Sequence, residues 1–226
     1  VHRSIQCDRR RFRSLLHPEL IDVEFVDLND QWRDAWRQIR ARGVVETRPG
    51  APDTEVVLDP VQRAASLLVG PQPAKGRKAA GVTYVAVPLD RAAQVVEVVL
   101  HKLHVAPLFV LPDGKWRSVF EIVSPGLAEN PHWQEIDALA SVELNTRDPL
   151  RCDPKDLHLL RDVMRVIVAH TDDAGDGRGV TVLSSGQSLV VKVAPSRPIE
   201  LSFGSAQVAE QARDAALHYL DGSEKR

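Results

Sequence analysis

The amino-acid sequence predicts an α+β fold, with a central ferredoxin-like βαββαβ unit flanked by α/β segments. Three observations predict it. Between Thr83 and Thr146, short β-prone runs and helical patterns follow one another in the order β-α-β-β-α-β, which is the split βαβ arrangement. Just ahead lies the most loop-like stretch of the chain, Gly70 to Gly81, with three glycines, two prolines and three cations. Behind it, Asp153 and Pro154 open a strongly amphipathic helix, a cap followed by proline at the first helical position. The chain therefore divides into an N-terminal α/β segment (1–75), the ferredoxin-like unit (82–147) and a C-terminal α-β-β-(β)-α segment (150–222). The last of these can pack with the central unit as one domain.

The N-terminal segment begins with a basic lead-in, helical around Arg10 to Leu16 and ended by Pro18. From Leu20 to Leu28 the chain alternates, with Ile21, Val23 and Phe25 on one side, as a half-buried strand requires. Asn29 or Asp30 then caps a helix to Arg42, and Gly43 stops it. Its buried stripe is Trp32, Trp36 and Ile39, and Arg33, Arg37 and Arg40 run beside that stripe. After a loop at Pro49 to Pro52, Asp59 and Pro60 predict another helix through Val69.

In the central unit, Thr83 to Leu89 is a strand and Asp90 caps a helix to His104. Val95, Val96, Val98 and Val99 favour strand by propensity. The run is long, capped and free of breakers, so the expectation is helix. Pro107 to Leu111 is the second strand, Pro112 to Lys115 a tight turn, and Trp116 to Val123 the third strand. A helix from Glu129 to Ala140 and a strand from Ser141 to Thr146 complete the unit. The C-terminal segment has a helix with Leu157, Leu160, Met164, Ile167 and Val168 on one face. A polar loop, Thr171 to Gly179, leads to a hairpin of Val180–Leu183 and Leu189–Val193. Ile199 to Phe203 adds a strand, and Ser205 caps a last helix lined by Val208, Ala212, Ala215 and Tyr219.

The totals narrow the function classes. With 226 residues, 43% hydrophobic and 27% charged, the chain has ordinary globular composition and enough apolar mass to fold without metals or staples. Five Phe, two Tyr and four Trp leave the core mainly to Val, Leu and Ala. A net charge of −2 gives no whole-chain basic field of the kind that marks nucleic-acid binders. The charge is uneven, with 14 Lys and Arg against 11 Asp and Glu in residues 1–81, and 15 against 20 in residues 82–226. Cys7 and Cys152 form neither a disulfide framework nor a zinc-binding pair, so a reducing, cytoplasmic setting is expected. No run approaches the ~18 apolar residues of a membrane span, and Val1 to Arg13 lacks the apolar run of a signal peptide. Val1 in place of Met leaves open whether a leader was removed.

Motifs for chemistry are incomplete. His101 and His104 share a helical face and could ligate a metal, but no third ligand follows from spacing, and cations suit a helix C-terminus in any case. Asp172, Asp173 and Asp176 suggest a calcium loop, yet Ala174 and Leu183 fall where oxygen ligands are needed. Ser184 and Ser205 lack a nucleophile elbow. Cys7, among Arg9, Arg10 and Arg11, is the more reactive thiol by setting, whereas Cys152 has Asp153 beside it. Neither a P-loop nor a dinucleotide fingerprint occurs. No metal and no cofactor are expected.

Three basic clusters can neutralise phosphates: Arg9, Arg10, Arg11 and Arg13; Arg33, Arg37 and Arg40; and Lys75, Arg77 and Lys78. On a ferredoxin-like sheet, Trp116, Phe120 and Tyr84 would be placed to stack bases, although the RNA-recognition signature is not met and Trp116 and Phe120 equally suit a core. Two functions are therefore carried forward. The first is a non-catalytic binding or assembly subunit of a larger intracellular complex, with a protein partner or self-association and no membrane. The alternative is an RNA- or DNA-contacting protein using Arg33, Arg37, Arg40, Lys75, Arg77 and Lys78. That reading extends to a nuclease with His17, His101, His104, His158 or His170 as general acid or base.

Overall fold

The computed structural model describes residues 24–25, 30–42, 45–46, 57–58, 63–72, 80–140, 148–171 and 178–223. In chain order the described elements are β1 (Glu24–Phe25), α1 (Asp30–Ala41), β2 (Val45–Glu46), β3 (Val57–Leu58), β4 (Ala65–Gly70) and β5 (Val82–Ala86). Then follow α2 (Leu89–Lys102), β6 (Leu108–Pro112), α3 (Trp116–Gly126), α4 (Pro131–Ala140) and β7 (Leu150–Cys152). A single 3-10 turn, Pro154–Asp156, leads into α5 (Leu157–Ala169), and β8 (Val180–Ser184), β9 (Leu189–Val193), β10 (Ile199–Phe203) and α6 (Ala206–Ser223) close the chain. The fold is α+β. No described helix is long and apolar enough to cross a membrane.

Eight strands make one mixed sheet in the order β1-β7-β6-β8-β9-β10-β4-β5, while β2 and β3 pair by themselves. Every pair in the large sheet is antiparallel except β4 with β5. This order overturns the ferredoxin-like unit. In that arrangement the strands joined by a crossing helix lie close together. Here α2 joins β5, at the sheet edge, to β6, with β8, β9, β10 and β4 between them. The C-terminal strands fill the centre of the sheet, which local patterns in residues 82–147 cannot foretell.

Two elements change type. Trp116 to Val123 is not a strand but most of α3. Its buried residues are Trp116, Val119, Phe120, Ile122 and Val123, spaced by three and four, and that helical period outweighs the alternation of Trp116, Ser118 and Phe120. The helix expected through Val69 is strand β4 from Ala65 onward. Leu67 and Val69 sink into one core while Ser66 and Leu68 take the other face, a period of two. Asp59 and Pro60 lie outside the described residues, as do the lead-in and the expected strand at 141–146. The valines of α2 pose no conflict, because Val95, Val96 and Val99 are buried between helices and packing overrides a weak intrinsic preference.

The sheet is covered on both faces over its central strands. One face, with Leu108, Val110, Val182, Val191, Leu201, Leu67 and Val85, packs under α2, α3, α5 and α6. The intervening residues Phe109, Leu111, Leu183 and Val190 form a second core with Trp32, Trp36 and Ile39 of α1. Trp32 and Trp36 stack at 5.4 Å, and Trp32 meets Phe109 at 5.5 Å. Double coverage explains why β6 is buried at every position instead of alternating. Further along that second face, Ser66 and Ser202 stand opposite one another and Glu200 accepts from both hydroxyls and from Arg63.

Candidate functional site

Two helix ends, those of α2 and α5, make a recess. α2 closes with the basic residues His101 and Lys102 in its last turn, and the Lys102 cation suits the negative end of the helix dipole. Its path then breaks at His104, whose positive φ of 50° is a conformation histidine adopts more readily than most residues. The start of α5 is fixed by a capping box: the Asp153 N–H donates to Asp156 Oδ2 at 2.9 Å, and the Asp153 side chain accepts in return from the turn above it. Because α2 and α5 pack side by side, the end of one lies beside the beginning of the other.

Between them is an open groove of about 330 Å³, lined by Glu97, Val98, His101, Lys102, Pro154, Lys155, Leu157 and His158. Buried Leu157 and half-buried Val98 give it an apolar floor. Lys102, Lys155, His101 and His158 form the rim. Glu97, the one acid in the lining, is engaged by Arg161 at 3.3 Å, and Arg161 also holds Asp162 at 2.9 Å. Partial burial opposes the Arg161 charge, but Asp162 and Glu97 outweigh it and hold the guanidinium firmly protonated. The rim is therefore cationic toward solvent. His132 of α4 sets its ring edge-on to His158, with centroids 5.8 Å apart, and His104 lies 6.4 Å from His101.

The other candidate residues separate. Arg33, Arg37 and Arg40 are exposed on the side of α1 away from the sheet, with Arg37 paired to Asp34 at 2.9 Å. Lys75, Arg77 and Lys78 lie outside the described residues, as do His17, Cys7 and the Asp172 to Asp176 loop. Trp116 and Phe120 offer no stacking platform: both are buried in α3, and the Trp116 indole donates to the Asp148 carbonyl at 2.6 Å. The Cys152 thiol is pushed far above its ordinary range by burial and by the charges of Asp156 and Asp153, the reverse of what a nucleophile needs. Ser184 closes its turn, donating to the Val105 carbonyl at 2.6 Å and accepting from the Gly186 and Gln187 N–H groups. Ser205 accepts from the Val208 N–H at 3.5 Å, as a cap. His170 ends α5, its carbonyl taken by Ser196. Among the described residues no three His, Cys, Asp or Glu side chains stand together as a cation site.

Lys102, Lys155 and His132 did not emerge from sequence reasoning. Their signal was half present, since His101 and the Asp153–Pro154 helix start were both visible. Their adjacency is tertiary. No protein-family model matches this chain, and no curated protein or solved structure matches it.

Proposed function

We propose that the protein is a non-catalytic binding or assembly subunit of an intracellular complex, and that it docks an acidic segment of a protein partner in the groove between α2 and α5. The observation that carries the reading is the lining itself. An apolar floor accepts one buried side chain, and two lysines and two imidazoles face solvent around it, while the only lining acid is already occupied by Arg161. Such a rim attracts carboxylates and speeds encounter, and the floor supplies a small desolvated anchor. An open groove encloses a free small molecule poorly, since such ligands usually bury ~70–90% of their surface. A chain laid across the two helix ends is held along its length.

The test is a labelled peptide carrying one Leu or Phe between glutamates. It should bind, weaken as salt rises, and lose at least about tenfold in affinity to the Lys102→Glu/Lys155→Glu variant, because reversing two rim charges costs on the order of 1.4 kcal/mol or more. Thermal melts of both proteins, and a Lys102→Glu single variant at the exposed end of α2, separate lost binding from lost folding. No binding at low salt, or equal binding by the variant, would sink the reading.

The exposed row of Arg33, Arg37 and Arg40 on α1 favours nucleic-acid contact as a second reading. A single-stranded oligonucleotide in the same assay separates the two. Affinity that falls steeply with salt and survives the groove variant belongs to the arginine row.

A further inference from the structure

We propose that the groove between α2 and α5 binds its acidic segment together with protons, taken up at His101 and His158, so that its grip tightens as pH falls. This rests on the groove reading above and adds its regulation. Imidazole is the side chain whose charge ordinarily changes between about pH 5 and 8. Two imidazoles stand in the lining, His101 from the last turn of α2 and His158 from the first turn of α5. Lys102 and Lys155 share that lining, and lysine does not titrate in this range. Protonation of both rings therefore doubles the positive charges on the rim.

The acids placed to absorb those charges from within are already engaged. Glu97 lies one turn before His101 on α2, and Asp162 one turn after His158 on α5. Each has the spacing at which an acid and a cation pair along a helix. Arg161 holds both, Glu97 at 3.3 Å and Asp162 at 2.9 Å, and Arg165 reaches Asp162 at 4.0 Å. At the start of α5, Asp153 takes Arg151 at 3.2 Å, and Asp156 Oδ2 accepts from the Asp153 N–H at 2.9 Å. The rings nearest the two imidazoles are imidazoles in turn. His132 of α4 stands edge-on to His158, and His104 follows His101. Glu135, one turn along α4 from His132, is exposed and outside the lining. Helices α3 and α6 pack on these two helices, and their described residues add nothing to the lining. A proton gained by His101 or His158 thus meets its counter-charge in a carboxylate that the ligand brings.

Linkage gives the sign. A carboxylate seated beside an imidazole favours its protonated form, so binding draws in protons and acidification strengthens binding in return. Glutamate keeps its charge down to about pH 4.3, which leaves the ligand ionised over the whole window. Exposed ion pairs are each worth a factor of about one and a half to five in affinity. Two of them set the expected gain at about threefold or more.

The labelled peptide with one Leu or Phe between glutamates is the probe, its Kd measured at about pH 8 and about pH 5.5 at fixed ionic strength. It should bind at least about threefold tighter at the lower pH, and a copy with glutamines for glutamates should lose the trend. The His101→Gln/His158→Gln variant should bring the ratio of the two Kd values close to one, with thermal melts at both pH values reporting its folding. Calorimetry on the unaltered protein is the second measurement. At about pH 6.5, the binding heat in two buffers of different ionisation enthalpy should show net proton uptake. Equal Kd values in the unaltered protein, no proton uptake, or a folded double variant that keeps the full ratio would overturn the coupling and leave the groove reading standing. Absence of binding at both pH values would remove the groove reading, and the coupling with it.

Discussion

Asp113 shows how one side chain ties a turn to the sheet. The residue as a whole faces solvent, but one carboxylate oxygen accepts from Thr181 Oγ1 at 2.9 Å, and its backbone N–H donates to the Gly179 carbonyl at 3.0 Å. Burial of the carboxylate raises its pKa, and the Thr181 bond and nearby Lys192 offset this only in part. Gly179 is required beside it, since a Cβ there would fall 2.5 Å from both the Asp113 carboxylate and the Val193 carbonyl. The sign follows from linkage. A carboxyl whose folded pKa is raised favours folding below its unfolded value of ~3.9, and that contribution is lost as pH climbs through the raised value. Asp113→Asn should therefore melt higher than the parent at pH 7, with the gap closing below about pH 4. Thermal melts at both pH values check this, and a gap of the same size at each would refute it.

At the scale of the element, the start of α5 is the joint on which the groove is hung. The capping box of Asp153 and Asp156 fixes where the first turn begins, and Asp153 also takes Arg151 at 3.2 Å. Asp153→Ala should cost about 1 kcal/mol, within the usual ~0.5–2 for a lost cap, read as a lower urea midpoint. Because Lys155 and His158 are positioned by that turn, the acidic-peptide affinity should fall as well. This element was legible in the sequence, because a cap followed by proline is a local signal. α3 was not. Trp116 to Phe120 satisfies both periods over five residues, and only the buried set through Val123 resolves the ambiguity.

For the whole molecule, two cores share one sheet. The larger is built on α2, α5 and α6, and the smaller rests on Trp32 and Trp36 against Phe109, Leu111, Leu183 and Val190. Among the described residues neither indole N–H meets a hydrogen-bond partner, and a buried donor left unpaired costs about 1–3 kcal/mol. Trp32→Ala should still destabilise this layer by roughly 3–5 kcal/mol. Since α1 contributes nothing to the larger core, the loss should appear as early hydrogen exchange in α1, with α2 and α5 still protected. Simultaneous loss of protection in all three helices would show that the two cores melt as one.

Periodicity, caps and breakers in the sequence determined α1, α2, α4, α5, the hairpin of β8 and β9, β10 and α6, and with them the α+β class. Those signals act within one or two turns of chain, where the physics is local. The tertiary structure decided which strands are neighbours, and so replaced a ferredoxin-like unit with an eight-stranded sheet whose centre comes from the C-terminal third. It also brought His101 and Lys102 beside Lys155 and His158 across more than fifty residues of chain. Strand order and helix adjacency are chosen by which apolar faces bury one another, a sum over distant pairs that no short window of residues contains.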